Sequence, residues 1–168
     1  MSQELSSEDA VKKFKDLVES VNVCMFTTLD DSNSIFSRPM STVKIDDEGN
    51  AWFFTNEYSE KIQEVSRDNS VTLIYAHPGK NVYVSVKGSC TIIVNKKQIE
   101  ELWNPLLKAW FPLGMDDPKL CLVKVTTEDA HYWNSHSSKM VVYFKMLKAI
   151  ANKERYEEQD AGKLKLNK

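Results

Sequence analysis

Between Val23 and Asn56 the chain is written for strands. Three runs, VCMFTTL (Val23–Leu29), IFSRPMSTVKI (Ile35–Ile45) and AWFFTN (Ala51–Asn56), are rich in aromatic and β-branched residues, which pack well on a pleated surface. Only DDSNS and DDEGN separate them. Both are turn chemistry: short polar side chains bond back to their own backbone, and glycine tolerates a positive φ. Runs joined so closely predict an antiparallel meander of three strands.

The remaining segments fit around that meander. In SSEDAVKKFKDLVESV, the residues Val11, Phe14, Leu17, Val18 and Val21 share one helical face, and Ser6 or Ser7 can cap it. A second helix is expected from Ser59 to about Asn69, with Ile62 and Val65 inward. VTLIYA (Val71–Ala76) reads as a strand and HPGKN as a turn. VYVSVKGSCTIIV (Val82–Val94) alternates as far as Lys87, and Gly88 marks a bend or bulge. NKKQIEELWNPLLKAWF opens on a capping pattern, Asn95 with Gln98, and Pro105 should kink or split its helix. KLCLVKVTTEDAHYWN is a last long strand. SSKMVVYFKMLKAIANK reads as helix, although Val141–Phe144 also suits a strand. From Glu154 onward the chain is polar, and a loose tail is expected over 154–168. Strands with short turns, interrupted by helices, predict a mainly β domain over 1–153: a small antiparallel barrel with peripheral helices. Periodicity leaves its topology open.

Composition removes several function classes. A formal charge of −2 gives no basic field for nucleic acid. No apolar run approaches the ~20 residues of a membrane-spanning helix. The polar start MSQELSSEDAVKKF is unlike a signal peptide. Cys24, Cys90 and Cys121 form no CxxC pair and read as buried thiols in a reducing cytoplasm. His77, His131 and His136 lack metal-ligand spacing, and no G-x-S-x-G is present.

Two features suggest an anion site. Ser59 stands at a predicted helix start with Lys61 in the first turn. A lysine is out of place at the positive end of a helix dipole unless it helps to hold an anion. The competing reading is a solvated surface residue. Arg38 lies in a strand otherwise small and apolar, beside Pro39, which cannot donate to a ladder. Such a strand has an edge or a gap, where free backbone groups can read a flat heterocycle and the guanidinium fork can meet phosphate. Here the alternative is an edge strand with an exposed arginine.

The stretch SRPMSTVKIDDEGNAWFFTNEYSEKIQEV, followed in order by VSVKGSCTII, HYWNS and KMVVYFKMLKAI, resembles the pyridoxamine 5'-phosphate oxidase-like split barrels, and among them the general stress protein branch. The likeness runs from about Val11 to Ala151 and is densest over Arg38–Lys61. It implies a six-stranded antiparallel split β-barrel that pairs as a cytoplasmic homodimer and binds FMN at the interface. By motif position, Arg38 and Lys61 would hold the phosphate with Ser59. Pro39 and Met40 would lie along the isoalloxazine edge, Phe54 and Thr55 would border it, and Lys44 would lie near. Trp110, Phe111 or Trp133 would cover the flavin from the second chain, Trp133 being the favoured candidate. The implied activity is a stress-related flavin-dependent oxidoreductase, with NAD(P)H or a small redox substrate as partner.

The chain departs from the vitamin-making oxidases at three points. Glu60 stands where they typically carry a second phosphate-binding arginine, Tyr83 replaces a flavin-contacting glutamine, and an Arg-x-His element near the end is missing. Pyridoxamine 5'-phosphate oxidation is therefore not expected. The rival expectations are a non-catalytic flavin binder or buffer, and a split barrel using a deazaflavin or haem.

Overall fold

The computed structural model describes residues 7–55, 69–134, 146–155 and 160–166. Its strands are β1 (Val23–Leu29), β2 (Ile35–Ser41), β3 (Lys44–Ile45), β4 (Ala51–Thr55), β5 (Ser70–His77), β6 (Val82–Ile93), β7 (Cys121–Asn134) and β8 (Asp160–Leu164). The helices are α1 (Ser7–Val21) and α2 (Lys96–Leu102), with 3-10 turns η1 (Pro105–Ala109) and η2 (Gly114–Asp116). Residues 146–151 are also helical. All pairings are antiparallel, in the order β2-β1-β5-β6-β7-β4-β3, and β8 also pairs with β7. The sheet curls until β2 and β4, which are not hydrogen-bonded neighbours, come into contact. The result is a half-closed barrel with a seam between those two strands.

Two expectations about strands are corrected. The run Ile35–Ile45 is not one strand of a meander but two, β2 and β3. The Thr42 N–H donates to Asn22 O (2.9 Å) and the Val43 N–H to Trp52 O (2.8 Å). Over two residues the backbone thus leaves the β1 side and joins β4, so β2 and β3 end on opposite edges of the sheet. That change of partner opens the seam. The second correction concerns the tail. Asp160–Leu164 pairs with Ala130–Asn134, on the edge of β7 that β4 leaves unpaired after Val125. Leu164 and Leu166 are buried while Lys163 and Lys165 face solvent. An alternating KLKL lay hidden in a polar composition, and its two leucines join the main core. With β3 and β8 the sheet has eight strands, where six were expected.

Elsewhere the local chemistry acts as read. Helix α1 buries Ala10, Phe14, Leu17 and Val18 against β5, β6 and β8; burying Phe14 alone is worth about 2–3 kcal/mol. Asn95 caps α2, its side chain accepting from the Gln98 N–H. Pro105 then splits the helix, and the chain resumes as η1. At Gly88 the register between β6 and β7 shifts. A Cβ there would lie 2.5 Å from Thr126 O, so only glycine lets the strands approach. The expected helix from Ser59 to Asn69 and the alternative at Val141–Phe144 fall in 56–68 and 135–145, outside the described residues.

Candidate functional site

The seam between β2 and β4 holds a cleft of about 410 Å³, within the size range of small-molecule sites. Arg38, Pro39, Met40 and Ser41 form one wall, with Val23 behind them, and Val43, Phe54 and Thr55 form the other. Leu107, Trp110 and Phe111 close one side. Each wall follows from local sequence. Pro39 pairs with Met25 on the β1 side of β2 and turns its donor-less edge to the seam. Phe54 is buried in a small apolar cluster with Ile99, Leu120 and Leu122. Its ring meets Trp103 edge-on at 5.7 Å and Phe111 at 6.3 Å. These contacts fasten η1 and the residues after it to β4, leaving Trp110 76% exposed at the rim.

Among the described residues, Arg38 is the one charged residue that lines the cleft. It is half-buried, and its Nη1 is buried without a hydrogen-bond partner among the described residues. The guanidinium carbon lies over the Phe26 ring at 5.5 Å and over the Phe36 ring at 5.4 Å. Cys90 is near enough to feel this charge. Burial nevertheless dominates and pushes the thiol up to about 12, the arginine opposing it only in part. Cys90 therefore stays neutral at physiological pH and does not neutralise Arg38. A buried, unpartnered donor costs free energy unless something meets it. Among the described residues the cleft thus offers a flat apolar slot with a cationic fork at its edge that no acid neutralises, an arrangement suited to a planar, anionic ligand.

The family model described as pyridoxamine 5'-phosphate oxidase like matches residues 9–157. The chain belongs to the pyridoxamine 5'-phosphate oxidase-like family. The chain is similar to protein bli-3 of Neurospora crassa, 24% identical over 142 residues, which span 79% of this chain and 68% of that protein. General stress protein 26 of Bacillus subtilis is 25% identical over 84 residues, 48% of this chain and 59% of its own. Among solved structures, the general stress FMN/FAD binding protein of Xanthomonas citri is 28% identical, with a TM-score of 0.65 over 79% of this chain and 93% of that one. A general stress protein 26 from Jannaschia shares the fold at a TM-score of 0.70, covering 95% of this chain and 99% of its own, with 21% identity.

Of the residues singled out from sequence, this family member brings Arg38, Pro39, Met40, Phe54, Thr55, Trp110 and Phe111 to the cleft. Lys44 does not line it. The break at Thr42–Val43 places Lys44 on β3, exposed and opposite Trp52, and Val43 takes the cleft position. Trp133 lies on the outer face of β7 across from Tyr83, half-exposed, and does not line the cleft of its own chain. Ser59, Glu60 and Lys61 lie outside the described residues. Sequence reasoning missed Val23, Ser41 and Leu107. It also missed Phe36, whose two-residue spacing from Arg38 puts both on one face of a strand and was a usable signal.

Proposed function

We propose that the cleft binds FMN and that the protein is a stress-related, flavin-dependent oxidoreductase of the cytoplasm. The observation that carries the reading is the buried, unpartnered Arg38 Nη1 at the edge of an apolar slot. The FMN/FAD binding described for the Xanthomonas citri protein supports it. Arg38 would hold the phosphate, with Ser59 and Lys61 from the segment that follows β4. Pro39, Met40, Phe54 and Thr55 would flank the ring, and Trp110 and Phe111 would screen it from water. Bound FMN would supply the redox chemistry. The residues of the chain bind it, orient it and exclude solvent.

The reading includes a homodimer. Pro39, Met25 and Ile74 stand in one row across β2, β1 and β5 on the outer face of the sheet. Val23, Met25 and Ile74 are each 40–48% exposed there, and Leu29 and Ile35 extend the apolar surface. A contiguous exposed apolar face of this kind marks an association surface, and a second copy of the chain is the occupant we assign. Trp133, on the same outer face, would then reach the partner's flavin. Pyridoxamine 5'-phosphate is not the substrate in this reading. The cleft supplies one cation among the described residues, and the flavin phosphate takes it.

A second reading, a flavin binder without catalysis, rests on one observation: besides Arg38, no lining residue among those described is a titratable acid or base. Absorbance and fluorescence titration of the pure protein with FMN tests the common ground; a flat titration overturns both readings. Reduction of the bound flavin by NADH or NADPH then separates enzyme from binder. A monomer by sedimentation that still binds FMN tightly would remove the interface role of Trp133.

A further inference from the structure

We propose that Phe36 is a positioning residue for Arg38, one that orients the guanidinium toward the cleft without neutralising it. The inference rests on the flavin reading for its ligand but not for its geometry. An arginine that must meet an incoming anion poses a problem of support. A carboxylate would orient the fork through paired hydrogen bonds and would also cancel its charge. Among the described residues Arg38 has no such ion pair; its near neighbours are the faces of Phe26 and Phe36, at 5.5 and 5.4 Å. Both distances are within cation–π range. The attraction holds a planar cation and leaves its N–H donors unspent, consistent with the unpartnered Nη1.

The two rings differ in what else they do. Phe26 is 2% exposed and stacks edge-on against Phe53 at 5.5 Å, so it is part of the main core. Phe36 is 39% exposed and belongs to neither core cluster. It stands two residues before Arg38 on edge strand β2, and Phe26 faces Arg38 from β1 in register. The core therefore accounts for Phe26, whereas Phe36 stands outside both core clusters with its ring against the guanidinium of Arg38.

The test compares Phe36→Leu, which keeps apolar bulk but removes the π face, with Phe36→Tyr, which keeps the face. The first readout needs no flavin. In ¹H–¹⁵N spectra of the full chain stripped of flavin, the Arg38 Nε–Hε signal should be displaced by ring currents in the wild type and in Phe36→Tyr. In Phe36→Leu it should move toward the position of a free arginine. The second readout is the ratio of riboflavin to FMN dissociation constants. Phe36→Leu should lower this ratio about two- to fivefold, with the loss confined to FMN, and Phe36→Tyr should restore it. An Arg38 signal indifferent to Phe36→Leu, or equal losses for both flavins, overturns the proposal. If the wild type itself does not prefer FMN over riboflavin, the phosphate reading of Arg38 fails, and the spectra still decide whether Phe36 positions the guanidinium.

Discussion

Asp46 and Arg38 are both half-buried charged side chains beside a turn or edge of the sheet, and they are treated in opposite ways. Asp46 is saturated. Its Oδ1 accepts from the N–H groups of Glu48 (3.0 Å) and Asn50 (2.8 Å), and its Oδ2 accepts from Trp52 Nε1 (3.0 Å) and Asn50 Nδ2 (3.1 Å). Burial alone would raise its pKa, but these donors together outweigh burial and hold the carboxyl below the usual aspartate range. Arg38 keeps a buried nitrogen with no hydrogen-bond partner among the described residues. A charge whose bonds are all made within the fold is part of the fold. A charge left unsatisfied at the edge of a cleft is set for a ligand.

Asp46→Ala should cost about 2–3 kcal/mol of stability, since it removes several charge-assisted bonds from one turn. Urea denaturation measures that loss, and the preference for FMN over riboflavin should stay put. Arg38→Met should do the reverse. Removing an orphaned donor should leave the urea midpoint unchanged or raise stability by up to about 1 kcal/mol, while FMN binding weakens. A large stability loss at Arg38 would mean that it is structural after all.

Acid sharpens the contrast further. The Asp46 pKa is lowered by folding, so its contribution is present above the unfolded value near 3.9 and is lost as pH falls through the lower folded value. The gap in urea midpoint between wild type and Asp46→Asn should therefore close below about pH 4. The smallest effect is expected at Asp30, in the other aspartate turn. Its Oδ1 accepts from the Ser32 and Ser34 N–H groups at 2.8 and 2.9 Å, but among the described residues no bond to its Oδ2 matches the tryptophan contact of Asp46. Asp30→Ala should cost about 1 kcal/mol in the same denaturation experiment. A cost equal to that of Asp46 would show that the Trp52 bond adds nothing.

Both turns were legible in DDSNS and DDEGN because turn chemistry is local. So were α1, the Asn95 cap, the split at Pro105 and the bulge at Gly88. The break at Thr42–Val43 was not legible. It depends on bonds to Asn22 and Trp52, twenty residues upstream in one case and on a different strand in the other, and no pattern in STVKI announces them. The same limit concealed that Val43, rather than Lys44, lines the cleft, and it hid Val23, whose place in the cleft comes from sheet curvature. The strand at Asp160–Leu164 was hidden for another reason: its alternation is short, and the edge of β7 that recruits it is defined by where β4 stops. Arg38 and Pro39 stood out in sequence because each is chemically odd for a strand. Sequence could not show that Arg38 lies between the aromatic faces of Phe26 and Phe36.

The central claim is that the cationic fork at the seam exists to bind the phosphate of a flavin. Fluorescence-quenching titrations of wild type and Arg38→Met with FMN and with riboflavin test it directly. Wild type should bind FMN at least about tenfold more tightly than riboflavin, and in Arg38→Met most of that preference should disappear through weaker FMN binding. Equal affinities of the wild type for the two flavins, or a preference that survives the loss of Arg38 intact, would contradict the account.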